Sequence, residues 1–109
     1  WMQVTAGSLT GRFGKNAQRF AERMLDDGLV HILATDAHSA RRRAPLLAEG
    51  CAAAERRVGA EEAQRMVVER PQAVLDNRAP AEVALVPALR EGFVAPSAPG
   101  WFARLLGRG

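Results

Sequence analysis

The feature of the sequence that most constrains the fold is a nearly continuous apolar run, Leu-Val-His-Ile-Leu-Ala, at residues 29–34. Such a run is typical of a strand that is buried on both faces of a parallel sheet. The preceding residues 15–27 repeat apolar side chains at helical spacing on one face: Ala17, Phe20, Ala21, Met24 and Leu25. Residues 2–5 are β-prone, and Gly28 stands where a helix C-cap is expected. Residues 2–34 therefore predict a βαβ unit with a right-handed crossover.

The remaining sequence predicts helices and then a tail. Residues 6–14 hold three glycines and two hydroxyl side chains, which predicts a loop after the first strand. Helices are predicted at residues 46–58, opened by Pro45, at residues 60–69, and from Pro71 to residue 77. Residues 78–109 hold four of the six prolines and predict an irregular tail outside the domain. The chain is therefore expected to be α/β and helix-rich, with its domain at residues 1–77.

Composition excludes several classes of protein. Residues 1–77 carry 11 basic and 10 acidic side chains, whereas a nucleic-acid binder usually shows a larger basic excess on one face. No apolar run approaches the roughly 20 residues that span a bilayer. The single cysteine forms no internal disulfide and fits a reducing compartment. We therefore expect a cytoplasmic protein with no transmembrane segment and no nucleic acid as partner.

Asp36 and His38 are the sharpest candidates for chemistry, because they follow the apolar strand at its carboxyl end. In parallel α/β folds, and especially in barrels, functional groups gather at that end. On an extended backbone these two side chains project to the same side, and a carboxylate beside an imidazole suits Mn, Zn or Fe. In the plainer interpretation, Asp36 caps a turn and His38 is an ordinary loop histidine.

The order of these segments resembles a known family. The pattern runs from Gln-Val-Thr-Ala-Gly-Ser-Leu-Thr-Gly-Arg-Phe-Gly at residues 3–14 to Thr-Asp-Ala-His-Ser at residues 35–39, with arginines after it. It closes with Glu-Arg-Pro-Gln-Ala-Val-Leu-Asp-Asn at residues 69–77. Over about residues 2–77 the chain is similar to the C-terminal part of the bacterial metal-dependent protein-tyrosine phosphatases of the CpsB/CapC/YwqE type. These belong to the polymerase and histidinol phosphatase (PHP) superfamily.

The resemblance implies a fold, an activity and a site. The fold would be the last βα units of a distorted (β/α)7 barrel. The activity would be hydrolysis of phosphotyrosine with divalent metal ions, typically manganese, on the tyrosine kinases of capsule and exopolysaccharide export. The family's late metal ligands map onto Asp36 and His38, and its phosphate-binding basic residue maps onto Arg42 or Arg43.

The chain departs from the family in the other metal ligands, which lie in an N-terminal His-x-His motif and on middle strands. Besides His38 this chain has only His31, inside a predicted strand, where a structural, hydrogen-bonded role is favoured over a ligand role. Two ligands do not hold a metal cluster, so we expect the chain alone to be inactive and to work only with a missing part. The alternatives are another PHP phosphoesterase and a non-catalytic remnant or interaction module.

Three further patterns allow both a functional and a structural interpretation. Cys51 and Arg57 fit the C-x5-R pattern of cysteine-dependent phosphatases, but the segment reads as helix interior, which favours a small buried cysteine. The arginines at residues 41–43 form either a solvated turn or a phosphate-binding group. Ser8 and Thr10 either line the mouth of a barrel or belong to a plain turn.

The tail carries an apolar stripe beside two arginines, Arg104 and Arg108. The stripe consists of Trp101, Phe102, Leu105 and Leu106. It predicts a short amphipathic helix that contacts a membrane or a partner. Disorder, or packing against the rest of a barrel, explains the same residues and is favoured.

Overall fold

Two parallel strands lie at the centre of the structure, a computed structural model that describes residues 1–36 and 47–96. Strand β1 (Gln3–Thr5) pairs with strand β2 (Ile32–Ala34) in the register Gln3 to Ile32, Val4 to Leu33 and Thr5 to Ala34. The predicted βαβ unit is confirmed, because a helix connects these parallel strands.

Helices cover this strand pair. Helix α1 (Ala6–Leu9) follows β1 directly, and α2 (Lys15–Asp26) crosses back to β2. Helix α3 (Leu47–Val58) and helix α4 (Ala60–Gln64) come next. A π-helical turn (Arg65–Glu69) then leads into α5 (Arg70–Leu75). The described part of the chain is thus a helix-rich α/β structure, as the sequence predicts. None of its helices is long and apolar enough to cross a bilayer.

The segment after β1 differs from the predicted loop, because its first four residues form helix α1. Helix α1 packs closely against α3: a Cβ added to Gly50 would lie 2.4 Å from the Cβ of Ala6. The three glycines that were predicted to lie in a loop have different structural roles. A Cβ on Gly7 would lie 2.9 Å from the ring of Phe13, and Gly11 and Gly14 hold φ angles of +83° and +95° in the turn that follows.

The helix predicted to start at Pro71 is present as α5, with Pro71 in its first turn, but it follows the preceding helix without the predicted gap. Proline lacks an N–H group and its ring clashes with the carbonyl four residues earlier. The preceding turn opens instead to π-helical spacing, in which the N–H of Arg70 donates to the carbonyl of Arg65, five residues back. This wider turn lets α4 and α5 run as one helix.

The core lies between the strand pair and helices α1, α2 and α3. Its buried members are Val4, Ala6, Leu9, Ala21, Leu25, Val30, Leu33, Ala54 and Met66. Within the predicted apolar face of α2, Ala21 and Leu25 are buried, whereas Phe20 is 69% exposed. Phe20 lies beside the outer edge of β1, in a groove that it shares with Gln3 and Thr5. It is exposed because, among the described residues, β1 has β2 as its one neighbour.

Part of the segment after residue 77, which the sequence analysis assigned to a tail, contacts Gly28 and Arg70. Gly28 closes α2 with φ +71°, and the N–H of Ala88 donates to its carbonyl at 3.1 Å. A Cβ on Gly28 would lie 2.6 Å from the backbone nitrogen of Ala88, so glycine permits this approach. Val86, two residues before Ala88, is also buried. The apolar stripe at residues 101–106 lies outside the described residues.

Candidate functional site

The carboxyl ends of β1 and β2 meet at one edge of the sheet. Thr5 pairs with Ala34 at the last rung, because the strands are parallel and in register. Beyond that rung β1 enters helix α1, whereas β2 continues through Thr35 to Asp36. Asp36 is exposed at this edge. The strand therefore delivers the predicted metal ligand to the edge where parallel sheets concentrate their chemistry.

Asp36 itself departs from the predicted backbone. Its φ angle is +49°, in the left-handed region, so the extended conformation ends at Thr35. The expectation that an extended backbone directs Asp36 and His38 to the same side is therefore wrong at its first residue. Aspartate tolerates the left-handed region better than most side chains, and backbone outliers of this kind cluster at functional sites.

The other predicted site residues lie outside the described part of the chain. His38, Arg42 and Arg43 follow Asp36 within seven positions, and the structure describes residues up to 36 and again from 47. Within those described ranges, no group of three or more histidine, cysteine, aspartate or glutamate side chains could hold a metal ion. Asp36 is an exposed carboxylate whose oxygens are suited to a hard divalent cation, and it fits as one ligand of a larger set.

His31 lies at the opposite, amino end of β2 and has structural partners. Its Nδ1 accepts a hydrogen bond from the backbone nitrogen of Met2 at 3.0 Å, and the Trp1 ring meets the imidazole edge to face at 5.5 Å. Burial lowers the pKa of His31 from its ordinary value of 6.5, and the positive charge of Arg70 lowers it further. A neutral imidazole with Nδ1 as acceptor agrees with the hydrogen-bonded role expected from the sequence.

A buried ion pair near His31 was missed by the sequence analysis. Arg70 is fully buried and Glu62 is 3% exposed. Two guanidinium nitrogens of Arg70 donate to the two carboxylate oxygens of Glu62, at 2.5 and 3.2 Å. The spacing contained a signal: Glu62 and Arg70 lie four residues on either side of Met66, which the structure buries. Two opposite charges on the apolar stripe of one helix indicate a buried pair.

The C-x5-R pattern belongs to a helix and a surface ion pair. Cys51 is half-buried within α3, and the residues up to Arg57 are all helical, so their N–H groups are used within the helix. Arg57 donates to Glu22 at 2.6 Å and to Asp26 at 2.8 Å, which joins α3 to α2. The helical interpretation of this segment is confirmed, although Cys51 is less buried than expected.

The hydroxyl side chains after β1 show a local role. Thr10 donates its hydroxyl to the carbonyl of Gly7 at 3.2 Å, within the turn between α1 and α2. Ser8 is half-buried in α1 and lines the groove beside Phe20. The Thr10 bond agrees with the structural interpretation of that hydroxyl, whereas Ser8 belongs to a helix and not to the plain turn that was expected.

Comparison with known proteins places these features in context. Residues 1–76 match the family model described as capsular polysaccharide synthesis, CpsB/CapC. The tyrosine-protein phosphatase YwqE of Bacillus subtilis (strain 168) is 34% identical over 76 residues, which are 70% of this chain and 30% of YwqE. The tyrosine-protein phosphatase CpsB of Streptococcus agalactiae is 38% identical over 66 residues, which are 61% of this chain and 26% of CpsB.

A solved structure shares the fold. It comes from the crystal structures of YwqE from Bacillus subtilis and CpsB from Streptococcus pneumoniae, described as unique metal-dependent tyrosine phosphatases. The match has a TM-score of 0.63 and 34% identity, and it covers 71% of this chain and 31% of the solved chain. This chain therefore spans less than a third of the length of these relatives.

Proposed function

The chain belongs to the CpsB/CapC family of capsular polysaccharide synthesis proteins, and on this basis we propose that it supplies the C-terminal part of a metal-dependent protein-tyrosine phosphatase. The observation that carries the proposal is that the family match runs through β2 and Asp36. The strand pairing supports it, because Asp36 stands at the carboxyl edge of a parallel sheet. In this proposal the strand pair is part of a distorted (β/α)7 barrel of the PHP type.

Each proposed site residue has a distinct task. In this proposal Asp36 and His38 would hold a divalent metal ion, proposed to be manganese, through a carboxylate oxygen and an imidazole nitrogen. Such an ion would polarise a phosphoryl group and lower the pKa of a bound water. Arg42 and Arg43 orient the phosphate, because a guanidinium group offers a planar pair of donors to two phosphate oxygens. The remaining ligands come from a part of the enzyme outside this chain.

The proposed substrate is a phosphotyrosine side chain on a protein. The names of the relatives join tyrosine phosphatase activity to capsular polysaccharide synthesis, which supports a tyrosine kinase of polysaccharide export as the physiological substrate. We also propose a cytoplasmic location for this protein, which agrees with its single cysteine. The proposal includes no nucleic-acid partner.

The test is hydrolysis of a phosphotyrosine peptide by the full-length protein that contains this chain. We expect turnover that EDTA abolishes and Mn²⁺ restores, with a phosphoserine peptide and histidinol phosphate cleaved much more slowly. Preferential cleavage of histidinol phosphate would instead assign the protein to another class of PHP phosphoesterase. No metal-stimulated turnover of any of the three substrates would contradict the proposed function and favour a non-catalytic module.

The 109-residue chain alone provides a second arm of this test. We expect it to be inactive towards p-nitrophenyl phosphate with or without Mn²⁺, because Asp36 and His38 leave most metal coordination positions to water. We also expect a broad thermal transition, since an isolated pair of strands is a small sheet with open outer edges. Metal-stimulated turnover together with a sharp melt would show that the chain is complete by itself.

A further inference from the structure

The buried ion pair is the centre of a larger cluster of charges. Glu62 pairs with Arg70, and its Oε1 also accepts from Nη2 of Arg90. Arg65 lies 3.6 Å from the same carboxylate. Arg90 and Arg65 are 37% and 21% exposed, whereas Arg70 and Glu62 are buried. The inner pair has therefore lost nearly all of its contact with water, and a strict geometry is needed to offset that cost.

Arg70 also reaches two other parts of the chain. Its Nη1 donates to the carbonyl of His31 at 3.2 Å, immediately before β2. Its Nε and Nη2 donate to the carbonyl of Ala84 at 3.3 and 3.2 Å, and Nη2 approaches the carbonyl of Leu85 at 3.3 Å. We call residues 84–90 the strap, since they run from these carbonyls to Arg90, which returns to Glu62.

The guanidinium thus joins a helix, the start of a strand and the strap at one point. Its planar fork fixes donor directions, so the three acceptor groups are held in one arrangement. Strand β2 has three residues, and His31 directly precedes it. The bond to the His31 carbonyl therefore fixes the chain at the point where the strand begins.

We propose that Arg70 is a positioning residue: by binding the His31 carbonyl and the strap together, it fixes where β2 begins and therefore where Asp36 lies. Asp36 lies five residues after His31, and the three-residue strand β2 lies between them. A displacement of the chain at His31 therefore also moves Asp36. The importance of this position for catalysis depends on the proposed function. The mechanical coupling between Arg70, β2 and Asp36 does not.

The coupling is tested by amide hydrogen exchange in the full-length, metal-free protein. The reporter is the N–H of Ile32, which donates to the Met2 carbonyl at 3.1 Å. In Arg70→Met we expect this amide to exchange at least about fivefold faster relative to the Leu25 amide in α2, as loss of a hydrogen bond at the strand would produce. The matched control is Arg78→Met, which removes an exposed guanidinium that donates to Glu82. Equal acceleration at Ile32 and Leu25 would indicate general destabilisation and overturn the proposal.

Two further variants keep the test decisive if Arg70→Met does not fold. In the double variant Glu62→Met, Arg70→Met both buried charges are removed, so no uncompensated charge remains, while the bond to His31 is still lost. In Arg70→Lys the charge beside Glu62 is kept, but one ammonium group cannot reach the carboxylate and the carbonyls together. We expect Arg70→Lys to recover thermal stability and still show fast exchange at Ile32. Wild-type exchange at Ile32 in either folded variant would overturn the proposal.

The position of Asp36 is read separately from its backbone amide resonance. We expect this resonance to shift in the Arg70 variants and to stay unchanged in Arg78→Met, all without metal. Mn²⁺ activation of phosphotyrosine hydrolysis should then require higher metal concentrations in Arg70→Lys. A shifted Asp36 resonance in a protein without phosphatase activity would support the positioning role and contradict the proposed function. An unshifted Asp36 resonance together with normal Mn²⁺ activation would contradict the positioning role and support the proposed function.

Discussion

The two ends of β2 differ in how the structure treats their side chains. At the amino end, the His31 ring accepts a hydrogen bond from Met2, and its carbonyl accepts one from the fully buried Arg70. Arg70 in turn pairs with the buried carboxylate of Glu62. At the carboxyl end, Asp36 is exposed, and its backbone occupies the left-handed region. The amino end of this three-residue strand is thus joined to a buried ion pair, and the carboxyl end leads to an exposed aspartate.

This difference separates stability from chemistry along a single strand. Parallel α/β folds commonly use the amino ends of strands for stability and the carboxyl ends for catalysis. Substitutions at the carboxyl end should therefore lower activity and change stability little. Substitutions at the amino end should mainly lower stability.

The largest expected effect is at the carboxyl end. Asp36→Asn or His38→Ala in the full-length protein should lower metal-dependent phosphotyrosine hydrolysis at least about 100-fold, because each removes a proposed metal ligand. Thermal stability should change little, since Asp36 is exposed. Asparagine is chosen at residue 36 because it also tolerates a positive φ. The control is Asp76→Asn, an exposed carboxylate that accepts from Gln72; full activity in Asp36→Asn would remove this residue from the site.

The next effect is on stability at the amino end. Arg70→Met should lower the free energy of unfolding by about 3–5 kcal/mol, because it leaves the Glu62 carboxylate buried without its main partner. The matched variant is Arg57→Met, whose guanidinium pairs with Glu22 and Asp26 at the partly exposed junction of α2 and α3. Its loss should cost about 1 kcal/mol or less. Denaturant unfolding measures both, and equal costs would show that burial does not distinguish the two ion pairs.

A smaller effect concerns the pH dependence of stability. The folded pKa of His31 lies below 6.5, so the unfolded chain binds the proton more readily than the folded chain. The stability contributed by neutral His31 is therefore complete above pH 6.5 and is lost as the pH falls below it. His31→Gln should reduce the slope of stability between pH 7 and pH 5. An unchanged slope in this variant would show that His31 does not titrate differently on folding.

The smallest effect is expected at Cys51. Cys51→Ser should leave phosphatase activity within about twofold of wild type, because Cys51 lies inside α3 and Arg57 of the C-x5-R pattern is paired with α2. Thiol alkylation should likewise leave turnover unchanged. A phosphocysteine adduct trapped at Cys51 would contradict the metal-dependent mechanism.

The parts of the fold that follow from periodicity could be predicted from the sequence. The spacing of Ala21 and Leu25 indicates the buried face of α2, and the apolar run at residues 29–34 indicates a strand in a parallel sheet. The place of Asp36 at the carboxyl edge follows from the same topology. These features depend on the spacing of apolar residues and on the general preference for right-handed crossovers, and both can be used with one sequence alone.

The features that sequence analysis missed depend on contacts between distant segments. Phe20 has the periodicity of a core residue, but its exposure is set by which strands neighbour β1. The strap contacts Gly28 and Arg70 through hydrogen bonds that backbone carbonyls accept. Every residue has such a carbonyl, so these bonds leave no pattern in the sequence. The helix predicted to start at Pro71 is joined to the one before it, because the preceding turn widens. Among these features, only the spacing of Glu62 and Arg70 offered a sequence signal. That spacing indicates an ion pair only when both side chains are known to face the core.

The most direct test of the central claim is equilibrium binding of Mn²⁺ to the full-length protein, followed by the electron paramagnetic resonance signal of free Mn²⁺. The account predicts that Asp36→Asn lowers the affinity for at least one bound ion by roughly tenfold or more. Asp76→Asn should bind as the wild type does. Identical stoichiometry and affinity in all three proteins would contradict the claim that the carboxyl end of β2 is a metal site.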